Sequence, residues 1–383
     1  MKLMNKMLKK LFTRLSSPLP LWEGLGVGLL LFVGSVNILA QDDPFPKVSF
    51  RRYQGNMTIT AQVVQNGQAV TDAIVAVYCG ETIRGKEAVG SGTNPQLAYL
   101  TVYGNNTVEQ QQLHFKVYTS EIIFTYTPST AVIFKNNSSI GTDAAPYIIT
   151  LPVSLADNAD NSSMLTTYDT QTCDVVLTGR TLYKDGAWNT LCLPFDVVLD
   201  GSPLEGADVR ALSSANLTDG KLTLNFTSKG YITELKTGTP YIIKWDSGDN
   251  LVSPVFTGVT VSNASNDFTS TDGKVQFKGT YSYRTFNDVD NSILLMTGDN
   301  YLRHPGNGAT IKPFRAYFEV SKGSDVKEFV LNFGEEDDPD GISLTPETSP
   351  ERVEWYDLGG RKLSGRPVQN GIYIYNGRKI VIK

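Results

Sequence analysis

Histidine is almost missing from this 383-residue chain: it has two, His114 in a strand-like run and His304 in a loop-like one. Two separated histidines with no neighbouring cysteine or carboxylate pattern supply neither a zinc site nor a Ser-His-Asp set. A GxSxG elbow and an HExxH helix are also missing. Gly80 to Lys86 (GETIRGK) matches the start of a phosphate-binding loop, but Glu87 stands where a serine or threonine must ligate Mg²⁺. No helical pattern follows to place a helix end behind phosphates. Charge is sparse, at 19% of residues with a net charge of -5, so no broad basic surface is offered to nucleic acid. No cofactor and no metal are expected.

Cysteine is nearly as scarce, and the odd count of Cys79, Cys173 and Cys192 leaves at least one thiol unpaired. If Thr181 to Tyr183 and Trp188 to Phe195 form a tight hairpin, Cys192 lies opposite Gly179, roughly 20 Å of extended chain from Cys173. A disulfide needs Cα atoms within about 7 Å, which favours buried free thiols. Long apolar runs are confined to the amino terminus. Lys2, Lys6, Lys9, Lys10 and Arg14 precede the apolar run Gly26 to Leu39, and the pattern reads as a signal peptide over residues 1–40, cleaved after Ala40. The run is shorter than the 18 or so residues a span requires, and no cysteine follows at a lipoprotein position.

What is abundant is short alternating strands separated by Gly, Asn, Asp and Ser. Met57, Ile59, Ala61 and Val63 share one face while Thr58, Thr60 and Gln62 take the other, and similar runs recur at roughly 10-residue spacing. The fold class expected is all-β: two antiparallel β-sandwiches of immunoglobulin-like type and a short β-rich tail. The boundaries read as a first sandwich over 41–156, a polar linker over 157–167 and a second sandwich over 168–334. An acidic linker, 335–340, and a tail, 341–383, complete the chain. The Asp157 to Ser163 stretch (DNADNSS) is oxygen-rich, yet lacks the alternate ligands and closing glutamate of an EF-hand, so a solvated loop is the expectation. The Asp185-Gly186 turn makes Gly179 to Asp196 the clearest hairpin, and its second strand is apolar on both faces, as suits a central strand between two layers.

That hairpin (GRTLYKDGAWNTLCLPFD), with PYIIKW at Pro240 to Trp245, PVFTGVTV at Pro254 to Val261 and FRAYF at Phe314 to Phe318, resembles a β-rich module of secreted and surface proteins of Bacteroidota. The first sandwich resembles another such module through NMTITAQVV, AIVAVYCGETIRG, YLTVYG, LHFKVY and IGTDAAPYIITLP. In relatives the second of these strands carries its cysteine later, whereas here it stands at Cys79. In the tail, Tyr356, Asp357, Leu358, Gly360 and Arg361 are followed by Gly371, Ile372 and Tyr373 and by a basic-apolar strand ending in Lys383. This order is similar to the carboxy-terminal sorting domains of type IX secretion cargo. The resemblance implies the secretion machinery as a partner and an outer-membrane surface or extracellular location; the plainer reading is a terminal hairpin. None of these resemblances implies an activity.

Carboxylates are plentiful but sit beside Gly, Asn or Ser, where turns collect them, so a glycosidase-like pair has no positive support. Trp188, Trp245, Tyr281, Tyr283 and Tyr301 are the candidates for a sugar-stacking platform, although rings of this kind serve sandwich cores more often. Two functions follow: a non-catalytic surface protein with adhesion, glycan-binding or spacer duty toward a glycan or surface protein, or an accessory module or degenerate hydrolase acting on polysaccharide.

Overall fold

Alternation sets the geometry of the strand Gly55–Gln65, in which Met57, Ile59, Ala61 and Val63 are all buried. The computed structural model describes residues 43–105, 112–119, 122–298, 300–323 and 326–333, together with the strand backbones between 342 and 382. The protein is all-β, with many antiparallel ladders. Gly55–Gln65 pairs antiparallel with Ala98–Gly104 on one side. On the other it pairs parallel with Ser139–Ile140 and Tyr147–Thr150. A facing sheet runs in the order Thr82–Ala88, Ile74–Cys79, Gln112–Thr119, Ile122–Tyr126. Between the two layers lie Val75, Val77, Leu100, Val102, Leu113, Phe115 and Val117. The layers nearly touch at Gly85, where a Cβ would fall 2.3 Å from the Thr101 carbonyl oxygen.

The expected linker is a structural crossover. Val153–Ala156 pairs parallel with Thr172–Thr178, and the helix Ser162–Tyr168 joins them, its Leu165 fully buried. Asp157 and Asn161, expected in a solvated loop, are buried. The Asn161 side chain closes on its own surroundings, accepting from the Ala156 amide at 2.9 Å and donating to the Ala156 and Tyr281 carbonyls. Polar residues here line an interior, and that is why their polarity misleads. Thr172–Thr178 is shared between cores: Val176 packs with Phe115 and Val117, while Val175 and Leu177 face the next core.

A six-stranded sheet follows, in the order Asn189–Cys192, Pro240–Lys244, Asp208–Thr218, Lys221–Phe226, Glu328–Asn332, Ile342–Leu344. Its two faces feed two cores. Leu191, Val209, Tyr241 and Ile243 pack with Phe195 and Phe256 on one side; Ile242, Leu222, Leu224 and Phe226 pack with Phe277 and Phe318 on the other. The second layer of that core contains Val275–Thr280 against Arg315–Val320, where Phe277 and Phe318 stack at 4.4 Å.

The Gly179 to Asp196 hairpin differs from expectation. Gly186 does turn with a φ of 84°, but Thr181–Leu182 pairs with Leu251–Val252 and Asn189–Cys192 pairs with Pro240–Lys244. The reason is Arg180, only 4% exposed, whose guanidinium donates to the Thr181 carbonyl and to the Thr190 carbonyl, both at 2.9 Å. A side chain wedged between the arms takes carbonyls that a ladder would use. Asn189 bridges the mouth instead, accepting from the Tyr183 amide and donating to the Tyr183 carbonyl. In the tail, a four-stranded antiparallel sheet runs in the order Lys362–Leu363, Trp355–Tyr356, Gly371–Tyr375, Arg378–Ile382.

Candidate functional site: a forked groove between two strand edges

The segment leaving the central strand through Pro194 meets Ser262, whose amide donates to the Pro194 carbonyl at 2.7 Å. Beyond that bond the two segments part in opposite chain directions. Asp196, Val197, Val198 and Asp200 line one wall of a groove of about 650 Å³, and Thr257, Gly258, Val259 and Thr260 line the other. The volume falls within the range of small-ligand pockets, roughly 300 to 1,000 Å³. Phe195, Val197, Phe256 and Val261 share one core beneath the fork, and the backbone bond between Ser262 and Pro194 joins the two walls edge to edge as one layer. Asp196, Val198, Thr257 and Thr260 are exposed above it.

Each wall is a strand edge. Val197–Val198 pairs with Glu234–Leu235 on its far side, and Val255–Thr260 pairs with Thr172–Thr178 on its far side. Among the described residues, neither has a strand partner on the groove side. The Leu199 amide donates to the Thr233 carbonyl at 3.0 Å, and the Val261 amide to the Gln171 carbonyl at 3.0 Å. Antiparallel ladders alternate, so the intervening Val198 and Thr260 turn their backbone N–H and C=O groups toward the groove. A bulge between Cys173 and Val175 bends the second wall, and Asp174 Oδ1 accepts from the Gly258 amide at 2.8 Å.

The chemistry of the groove is acidic and hydroxylic. Burial opposes ionisation of Asp196, but the Thr237 amide at 2.7 Å and the Lys236 ammonium at 3.0 Å hold its carboxyl below the ordinary value. Lys236 is also bound by Glu234 at 2.7 Å. The Thr237 hydroxyl is buried and has no hydrogen-bond partner. No lysine or arginine is among the groove-lining residues.

A second groove, of about 620 Å³, lies across the same strand, with Thr257 common to both. Ile123, Tyr126, Pro152, Tyr168 and Cys173 contribute to its lining. Burial, with the Asp174 charge second, pushes the Cys173 thiol up, which keeps it protonated and a poor nucleophile.

The aromatic candidates do not make one platform. Trp188 is buried and stacks on Phe333 at 5.2 Å; Trp245 is buried with Nε1 donating to the Glu205 carbonyl at 3.1 Å. Tyr281 packs against the second core and donates to the Leu193 carbonyl at 3.1 Å. Tyr283 and Tyr301 are exposed, with the Arg303 guanidinium 5.8 Å from the Tyr301 ring. The histidines serve locally: His114 stacks on Tyr78, and His304 Nδ1 is 2.8 Å from the Ile293 carbonyl. Gly80 to Lys86 spans the turn of a β-hairpin. Asp160 accepts from Ser162 and Ser282, and Asp157 is bound by Arg315 and Lys312. Among the described residues, no group of three His, Cys, Asp or Glu is placed to hold a metal.

Of the tail motif, Tyr356 pairs with Ile374, and Gly371, Ile372 and Tyr373 pair with Ile382, Val381 and Ile380. Asp357, Leu358, Gly360, Arg361 and Lys383 lie outside the described residues. The fork itself escapes sequence reasoning, because it depends on which strands fail to pair. None of the family models, curated proteins or solved structures compared with this chain matches it.

Proposed function

We propose that this chain is an exported, non-catalytic β-sandwich protein of the cell surface or extracellular space, with an immunoglobulin-like first module and a ligand-binding second one. The groove between Asp196–Asp200 and Thr257–Thr260 is the observation that carries the binding role: an open slot with carboxylates and hydroxyls above an apolar floor. The leader and the tail support export, and the tail is the part that the secretion machinery reads. Adhesion to a surface polymer, glycan or protein, is the duty this arrangement serves.

The alternative, a hydrolase of polysaccharide, needs a carboxylic acid whose pKa is raised so that it can donate a proton. The clear shifts among described carboxyls run the other way, at Asp160, Asp196, Asp272 and Asp290. The buried acids Asp157 and Asp208 are spent on Arg315 and Arg210. Incubation of the full chain with soluble and insoluble polysaccharides is expected to release no new reducing ends. Release by the wild type, lost in Asp196→Asn or Asp200→Asn, would overturn the reading in favour of hydrolysis.

A further inference from the structure

Building on the binding role assigned to the forked groove, we propose that its ligand is an extended polypeptide segment carrying lysine or arginine, held by addition of a strand between the two walls. Three observations point to this class. The walls are edges of one layer, closed at one end by the bond between Ser262 and Pro194 and open beyond it, as though one strand were withdrawn. The backbone groups of Val198 and Thr260 face the slot, and main-chain pairing is what an extended peptide supplies to such edges. Four residues of wall, Thr257 to Thr260, correspond to about 13 Å of strand.

Charge selects the side chains. Asp196 and Asp200 line the slot and no cation does, although Lys236 binds Asp196 from the flank. A lysine or arginine placed at Asp200 meets an exposed carboxylate in the lining of the slot. A saccharide fits less well, because the one aromatic ring in the lining, Phe256, is 2% exposed and packed on Phe195 at 5.1 Å. It offers no face for a sugar to stack on. Alternate residues of the peptide would point down toward Phe256 and Val259 and up into solvent, so the favoured pattern alternates apolar and polar.

The test uses the full chain and a fluorescein-labelled peptide of sequence Thr-Val-Lys-Val-Lys-Val-Thr, titrated by anisotropy. Companion peptides carry glutamate for lysine or proline for the central valine. The lysine peptide is expected to saturate, the glutamate peptide to bind more weakly, and the proline peptide not to bind. Asp200→Lys should weaken the lysine peptide roughly three- to tenfold, as loss and reversal of exposed charge pairs would. Thr260→Pro, which removes an amide on the groove side and none from the ladder, should abolish binding while circular dichroism stays unchanged. Should Thr260→Pro unfold, Asp200→Lys still decides. No saturation, or saturation unaffected by both variants, overturns the peptide assignment. A glycan retained by the wild type and lost in Asp200→Lys would then keep the groove as a binding site with a different ligand. Retention of neither class would remove the groove's binding role as well.

Discussion

Asp208 and Arg210 are both buried and meet through Nε and Oδ1 at 2.6 Å and Nη2 and Oδ2 at 3.1 Å, with Arg210 Nη1 also donating to the Thr227 carbonyl. Removing one partner leaves an uncompensated charge indoors, so Asp208→Ala should lower unfolding free energy by about 3 to 5 kcal/mol in urea titration. Gly85 carries a steric constraint instead. Its missing Cβ lets the Thr101 backbone approach, and Gly85→Ala should cost about 1 to 3 kcal/mol, read as a lower midpoint in the same titration. Cys192 is sealed: burial pushes its thiol up to about 12, and Gly279 lies against the sulfur. Iodoacetamide at mildly alkaline pH should leave Cys192 unmodified in the native chain and modify it after denaturation, with mass spectrometry of peptides as the readout. The carboxyls of Asp160, Asp196, Asp272 and Asp290 lie below the ordinary 3.8 in the folded chain. Their contribution to stability is therefore present above that pH and lost as pH falls through the lowered values. The thermal midpoint should decline below about pH 4, and less in 1 M salt than in dilute buffer.

Arg180 decides the geometry of the hairpin that the sequence advertises most loudly. Burial and the nearby Arg315 push its guanidinium below the ordinary value while Asp157 favours the charged form, and two of its nitrogens meet carbonyls on opposite arms. Arg180→Ala would leave the Thr181 and Thr190 carbonyls without these donors, and charge-assisted bonds of this kind contribute about 1.5 to 3 kcal/mol each. The expected result is a loss of several kcal/mol, with hydrogen exchange rising first in residues 180–192. Asp-Gly announced the turn correctly because a positive φ at Gly186 is a local matter. The ladders were not legible, since the partners of the two arms, Leu251–Val252 and Pro240–Lys244, are distant in sequence. The parallel pairings of Gly55–Gln65 with Tyr147–Thr150 and of Lys221–Phe226 with Glu328–Asn332 were hidden for the same reason. The crossover helix was hidden by composition: Ser162 to Tyr168 is rich in Ser and Thr, and a single buried residue, Leu165, sets no period.

At the scale of the molecule, residues Pro44 to Lys383 gather into one compact unit, and Val176 ties the first core to the strand that also serves the second. Strand alternation made the all-β class readable, because burial on one face of Gly55–Gln65 or Gln112–Thr119 follows directly from period two. The candidate site was much less so: Trp188 and Trp245 were visible as large rings, but the same size that suggested a platform sends them into cores. The groove arises where Val197–Val198 and Val255–Thr260 decline to meet, and a missing contact leaves no mark in composition. The proposed binding role requires export to a surface where a polymer ligand can be met. The most direct measurement is mass spectrometry of the protein and its termini, recovered by labelling intact cells with a membrane-impermeant reagent. Labelled chain beginning at Gln41 is the expected result, and the proposed export depends on it. Unlabelled chain retaining its leader inside the cells would contradict it.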